Sequence, residues 1–343
     1  MTERTTKKDT DTSALPPLVV ADGPDGDREH GDKGQAPPGG RVASWWRRRR
    51  ADGPAGGARK PPWVLAMLGI ALLIGMHFVA PLSGGVYAFT DWDGFNTAKF
   101  VGWDNFREIM DSEVQRGALV HTFVLAGTYL VLVNVIGLVL ALALNRTLKS
   151  RNFLRMVFFA PAVLSPLAVS YIWQYMFTYD GAINRMLGGI GLDGLRHEWL
   201  GDPSTAIWCV LVVMVWQHAG QAMIIYLAGL QGVADELEEA AVIDGARLWM
   251  RLRRITLPLL APAFTIVSTL MLISGLRVFD QVFALTSGGP VYSTETLATQ
   301  VYQQTFVEGR FGFGASIAMV MTVLISVLGI ANMMYQRSRE RRL

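Results

Sequence analysis

The side chains able to carry covalent or metal chemistry are few in this chain, and their spacing is wrong for it. The five histidines, His30, His77, His121, His197 and His218, are scattered. The run His197-Glu198-Trp199-Leu200-Gly201 misses a zinc-binding helix because Gly201 stands where a second histidine is needed. No GxSxG elbow or carboxylate cluster interrupts the apolar stretches. Cys209 is the single cysteine, which excludes an internal disulfide, a CxxC redox pair and a cysteine-rich metal site. Gly26 to Lys33 approximates a phosphate loop, yet Asp32 displaces the lysine and no strand precedes it. With no Walker A sequence elsewhere, no catalytic residue, metal or cofactor is expected, and the chain is not read as an enzyme.

What remains is binding chemistry by polar groups inside apolar runs, where each marks a pathway or a satisfied packing contact. Tyr171, Gln174, Tyr175 and Thr178 share one helical face at spacings of three and four. Aromatic and amide groups suit a sugar, whose ring faces stack and whose hydroxyls need partners; an aromatic belt at the outer interface fits them equally. Trp216, Gln217, His218 and Gln221 offer either a path or hydrogen bonds between helices, and Asn134 and Ser165 share that ambiguity. Arg277 and Asp280, three apart, are expected to form an ion pair with each other or with a neighbouring subunit.

The elements that hold these groups follow from composition. The chain has 343 residues, 51% hydrophobic and 17% charged, where a soluble domain carries about 25% charged residues. It reads as an all-α polytopic membrane protein. Apolar runs long enough to cross about 30 Å of hydrocarbon lie near 63–89, 117–144, 154–178, 205–230, 262–286 and 313–335. Six transmembrane helices put both termini on one side. Residues 1–62, rich in Gly, Pro and charge, are expected to be a disordered, basic cytoplasmic extension. Seven basic residues against Asp52 between Arg41 and Lys60, four in the stretch from Arg146 to Arg155, and four arginines against Glu340 in the 337–343 tail place those segments in the cytoplasm. The acidic or balanced connections lie outside. The division expected is 63–112 for the first helix and its outer loop and 113–336 for the remaining membrane domain. No uniform basic surface for nucleic acid is present.

This topology puts one unusual loop, 231–262, on the cytoplasmic face. Asp235 and Glu238 are spaced as a capping box and start a helix. Leu237, Ala240, Ala241 and Asp244 form a face of mostly small side chains, and Gly245 permits a left-handed backbone at the helix end. From Arg247 to Ile255, Leu248, Trp249, Leu252 and Ile255 make an apolar side, and the arginines can snorkel to lipid headgroups. Pro258 and Pro262 mark the turn into the fifth span.

The combination Glu239-Ala240-Ala241, Asp244-Gly245-Ala246 and Ile255-Thr256-Leu257-Pro258 resembles the EAA loop of permease subunits of binding-protein-dependent ABC importers. Leu227-Ala228-Gly229-Leu230-Gln231, Phe279-Asp280, Leu285 through Pro290, Thr296 and Phe311-Gly312-Phe313-Gly314 resemble its carbohydrate-uptake branch. Ala234, Glu238 and Leu252 depart from the family pattern, where proline, tyrosine and phenylalanine are frequent. The resemblance implies a plasma-membrane protein of a bacterium that couples to a dimer of ATP-binding subunits through this loop. It also implies a second permease, an extracytoplasmic solute-binding protein near Gly288, Gly289 and Pro290, and a sugar or polyol phosphate as substrate. Tyr171, Gln174, Tyr175, Gln217 and Asp280 are the candidates for the path. An ion-coupled secondary transporter is the less favoured alternative, because Asp280 is the only acidic residue well inside a span.

Overall fold

A computed structural model describes residues 63–145 and 149–340. The expectations for 1–62, for Arg146 through Leu148 and for the last three residues lie outside the described part. The chain divides into two units, Met1–Ala66 and Met67–Leu343; the elements below belong to the second, apart from the first turn of the first helix. Except for one isolated bridge between Thr90 and Phe100, every regular element among the described residues is helical.

Helix α1 (Trp63–Ile74) continues through a π-turn into α2 (Ala80–Tyr87), giving an apolar segment, Ala66–Tyr87, long enough to span a membrane. A short amphipathic helix α3 (Asp104–Asp111) leads into α4 (Glu113–Leu144), whose N-cap Ser112 accepts the Gln115 N–H. Next come α5 (Arg151–Val163), α6 (Pro166–Phe177), α7 (Ala182–Gly189) and the long α8 (Pro203–Leu230). The loop region comprises α9 (Asp235–Ile243), α10 (Leu248–Arg251), a π-turn (Leu252–Thr256) and α11 (Leu257–Leu259), followed by α12 (Ala261–Leu276). Beyond it lie α13 (Asp280–Thr286), α14 (Leu297–Tyr302) and α15 (Phe311–Glu340).

Four of these segments can cross a membrane as single helices, and two bent pairs bring the number to six if each pair is one span. The bends correct the expected straight third and fifth spans. Between α5 and α6 the axis turns by 99°. Pro166 permits the turn: the residue before a proline is biased out of helical space, and Ser165 and, one residue earlier, Leu164 have ψ of 130° and 147°. In the fifth run the helical segment begins at Leu248 and turns by 68° around Leu260, where Pro262 removes a backbone donor. The same run is interrupted again at Arg277, so 262–286 is not one helix. The last helix continues through Glu340, beyond the expected boundary at 336.

The core forms around α8, two-thirds of whose apolar window is buried, whereas none of the Ala66–Tyr87 window is. Val210, Val213, Met214, Ala222, Met223 and Tyr226 of α8 pack with Leu125, Tyr129 and Val133 of α4 and with Val267 and Met271 of α12. Asn134 joins the three helices: its Oδ1 accepts from Tyr226 Oη at 2.5 Å and from Ser268 Oγ at 3.4 Å. In a hydrocarbon surrounding, such bonds replace the water that a polar group would otherwise lose.

Candidate functional site

The 231–262 loop begins as α8 ends. Its first helix starts at Asp235 with Ala234 as N-cap, one residue earlier than the Asp235 cap expected, so the cap position offers no side-chain acceptor. Its end is built as the sequence implied. Gly245 has φ +74°, its N–H donates to Val242 O at 3.0 Å, and the Ala246 N–H donates to Ala241 O at 2.9 Å. That is a Schellman termination, which a left-handed residue alone completes. A Cβ on Gly245 would meet nothing within 4 Å, so backbone conformation and not space demands glycine.

Of the loop residues singled out, Ala241 and Thr256 are buried, Ala246, Ile255 and Pro258 are half-buried, and Glu239, Ala240, Asp244 and Leu257 are exposed. Ala241 anchors the loop while the opposite side stands free. Ile243 is 85% exposed, Leu248 72% and Trp249 68%. These apolar groups, interleaved with the exposed charges Glu236, Glu239, Asp244 and Arg247, form a patch fit to be covered by another surface. A hollow of about 750 Å³ lies beneath, between Leu142, Asn145 and Leu230 of the bundle and Leu248, Trp249 and Leu252 of the loop.

The five path candidates separate. Tyr171 and Tyr175 keep an exposed face of α6. Gln174 instead donates to Leu285 O at 3.3 Å, tying α6 to α13. Gln217 is fully buried near the middle of α8; its Nε2 donates to Leu164 O at 3.1 Å, and its Oε1 accepts from Gln281 Nε2 at 3.1 Å. It therefore satisfies the carbonyl that the Pro166 break releases, at a depth where water is scarce. Asp280 is half-buried in the first turn of α13. No ion pair joins it to Arg277 among the described residues, because Arg277 closes α12 and a break separates the two. The expected pairing within the chain is not formed.

Sequence reasoning passed over Gln281, whose signal was an amide beside the singled-out Asp280. It also passed over a run of ring contacts linking Tyr87, Trp92, Phe311, Phe306, Tyr302, Phe283 and Phe279, with centroids 4.3 to 6.2 Å apart. Rings contributed by distant segments have no common period to detect.

The Gly288-Gly289-Pro290 turn is tight, as its composition implied. Ser287 and Gly288 have φ of +50° and +85°. A Cβ on Gly288 would lie 2.0 Å from Oε1 of the buried Glu295, so glycine is required here by space as well. Thr294 Oγ1 donates to Gly289 O at 2.8 Å. Thr296 and Thr299 then cap α14 reciprocally, at 3.3 and 2.8 Å. The turn rests on a rigid base, and Val291 and Tyr292 beyond it are 83% and 58% exposed.

A bundle of bent and straight candidate spans carrying an exposed two-helix loop is the architecture of a polytopic membrane protein. Residues 133–341 match the family described as binding-protein-dependent transport system inner membrane component. The chain is 31% identical over 278 residues to the probable starch degradation products transport system permease protein AmyD of Thermoanaerobacterium thermosulfurigenes, covering 81% of this chain and 94% of that protein. It is 32% identical over 279 residues to the multiple sugar-binding transport system permease protein MsmF of Streptococcus mutans, covering 81% and 96%. A crystallised bacterial alginate ABC transporter, in complex with its alginate pentasaccharide-bound periplasmic protein, contains a chain of the same fold. The TM-score is 0.67 at 24% identity, over 87% of this chain and 97% of that one. The chain belongs to the binding-protein-dependent transport system inner membrane component family: it is a multi-pass permease subunit.

Proposed function

We propose that this chain forms half of the translocation pathway of an ATP-driven sugar importer and receives the power stroke through the 231–262 loop. The observation that carries the reading is the exposed, conformationally fixed loop, with the Schellman turn at Gly245 and the uncovered Ile243, Leu248 and Trp249. The ATP-binding subunits seat on this patch, and Glu239, Ala240, Ala241, Asp244, Gly245, Ala246, Ile255, Leu257 and Pro258 shape it. A second permease completes the path. The extracytoplasmic binding protein docks near Gly288, Gly289 and Pro290, and Tyr171, Tyr175 and Asp280 face the solute. Both termini are cytoplasmic, in the plasma membrane of a bacterium. Residues 1–62 form a basic extension, 63–112 the first span and outer loop, 113–336 the transport domain and 337–343 a basic tail. The names of AmyD and MsmF, which concern starch degradation products and multiple sugars, support a sugar as substrate.

Gly245→Val tests this. An L-residue in the left-handed region costs about 1–2 kcal/mol, and a β-branched one is a strong outlier there. The variant is expected to insert and to assemble but to lose uptake and sugar-stimulated ATP hydrolysis in the reconstituted complex. Normal uptake by Gly245→Val would overturn the coupling role.

A further inference from the structure

One cavity lies apart from the path and adjoins the loop patch, with which it shares Leu257 and Pro258. It measures about 440 Å³, within the range of small-ligand pockets, and lies where the loop, the start of α12 and the end of α15 meet. Its deep wall is apolar: Leu138, Leu260, Ala261 and Phe264. At 1.5 Å per residue, Leu138 stands about 9 Å below the end of α4 at Leu144, so the cavity reaches into the depth of the spans. Its mouth is cationic. Arg253 comes from the π-turn Leu252–Thr256 and Arg339 from the last turn of α15. Neither makes an ion pair among the described residues; Arg339 only overlies the Tyr335 ring, 5.8 Å from its centroid. The nearby carboxylate of Glu340 is turned aside, accepting the Thr265 hydroxyl. Between mouth and wall sits Gln336, 9% exposed, whose amide lines the cavity and has no hydrogen-bond partner among the described residues.

Two cations at the mouth, an amide on the lining and an apolar wall between candidate spans match one kind of molecule. We propose that this cavity binds an anionic phospholipid. Its phosphate is held by the Arg253 and Arg339 guanidiniums, a headgroup or ester oxygen pairs with Gln336, and an acyl chain lies along Leu138, Leu260 and Phe264. Guanidinium suits phosphate because its donors form a planar fork, and basic pockets between helix ends are frequent sites of lipid headgroups. The lipid would wedge the base of the loop against α15 and so link the coupling element to the bilayer.

Native mass spectrometry of the full-length chain, titrated in detergent with phosphatidylglycerol or phosphatidylcholine, tests the assignment. Preferential retention of phosphatidylglycerol is expected. Arg253→Ala and Arg339→Ala are each expected to weaken it about fivefold, while Arg337→Ala, exposed on the same turn and outside the cavity, leaves it unchanged. Gln336→Leu is expected to lower retention without lowering the thermal midpoint, since it removes an unpaired group. Equal retention of the two lipids, unchanged retention in both cavity arginine variants, or an equal loss in Arg337→Ala would overturn the proposal. Displacement by millimolar glycerol phosphate would assign the cavity to a soluble phosphate and overturn the lipid.

Discussion

Gln217 shows how a single residue changes meaning between sequence and structure. As an amide amid apolar neighbours it fits a solute path, but in the fold both ends of its amide are engaged, with Leu164 O and Gln281 Nε2. Gln217→Leu removes the donor to the Leu164 carbonyl and leaves the amide of the buried Gln281 unpaired, the latter costing about 1–3 kcal/mol. The variant is therefore expected to lower the thermal midpoint of the purified chain in detergent clearly. A variant of native stability with altered sugar affinity would show that Gln217 belongs to the path. The glycines were legible for the opposite reason. Gly245 and Gly288 serve local backbone geometry, which the sequence encodes within a few residues, whereas Gln217 serves a carbonyl 53 residues away.

At the scale of elements, hydrophobic length announced the spans, and it could not announce their breaks. Pro166 and Pro262 both occupy first helical turns, where proline is well tolerated. Whether the preceding helix continues in line or turns by 99° depends on what packs behind it, which no local pattern holds. The start of α8 is simpler. Asp202 caps it, accepting the Ser204 N–H and hydroxyl, both at 2.8 Å, and pairing with His197 Nε2 at 2.8 Å. The Ser204 bonds, assisted by His197, hold its carboxyl below the ordinary 3.8. A depressed folded-state pKa means that the cap stabilises fully above pH 3.8 and is lost as pH falls through the lower folded value. Asp202→Asn keeps an acceptor oxygen for Ser204 and removes the charge. Across a thermal-unfolding series from about pH 5 downward, the stability gap between native chain and Asp202→Asn should close below pH 3.8. A gap that persisted undiminished well below pH 3.8 would contradict the cap's charge as the source.

Among the described residues burial is uneven: α8 is largely enclosed, while the apolar residues of the first span, of the 231–262 loop and of the Val291–Tyr292 tip are exposed. The same asymmetry offers a way to test the proposed orientation. Cys209 is the only cysteine and is buried in α8, so a Cys209→Ser background is silent to thiol reagents and well tolerated in volume. On that background Val291→Cys marks the tip proposed to lie outside, and Arg254→Cys on the loop and Ser338→Cys near the end of α15 mark the segments proposed, from their excess of arginine, to be cytoplasmic. A membrane-impermeant maleimide applied to intact spheroplasts is expected to label Val291→Cys and to reach Arg254→Cys and Ser338→Cys only after permeabilisation. Labelling of Arg254→Cys from outside would invert the orientation and with it the ATPase-coupling role of the loop. Labelling of Val291→Cys alone, with the other two protected until the membrane is opened, would place the loop where cytoplasmic ATP-binding subunits can push on it.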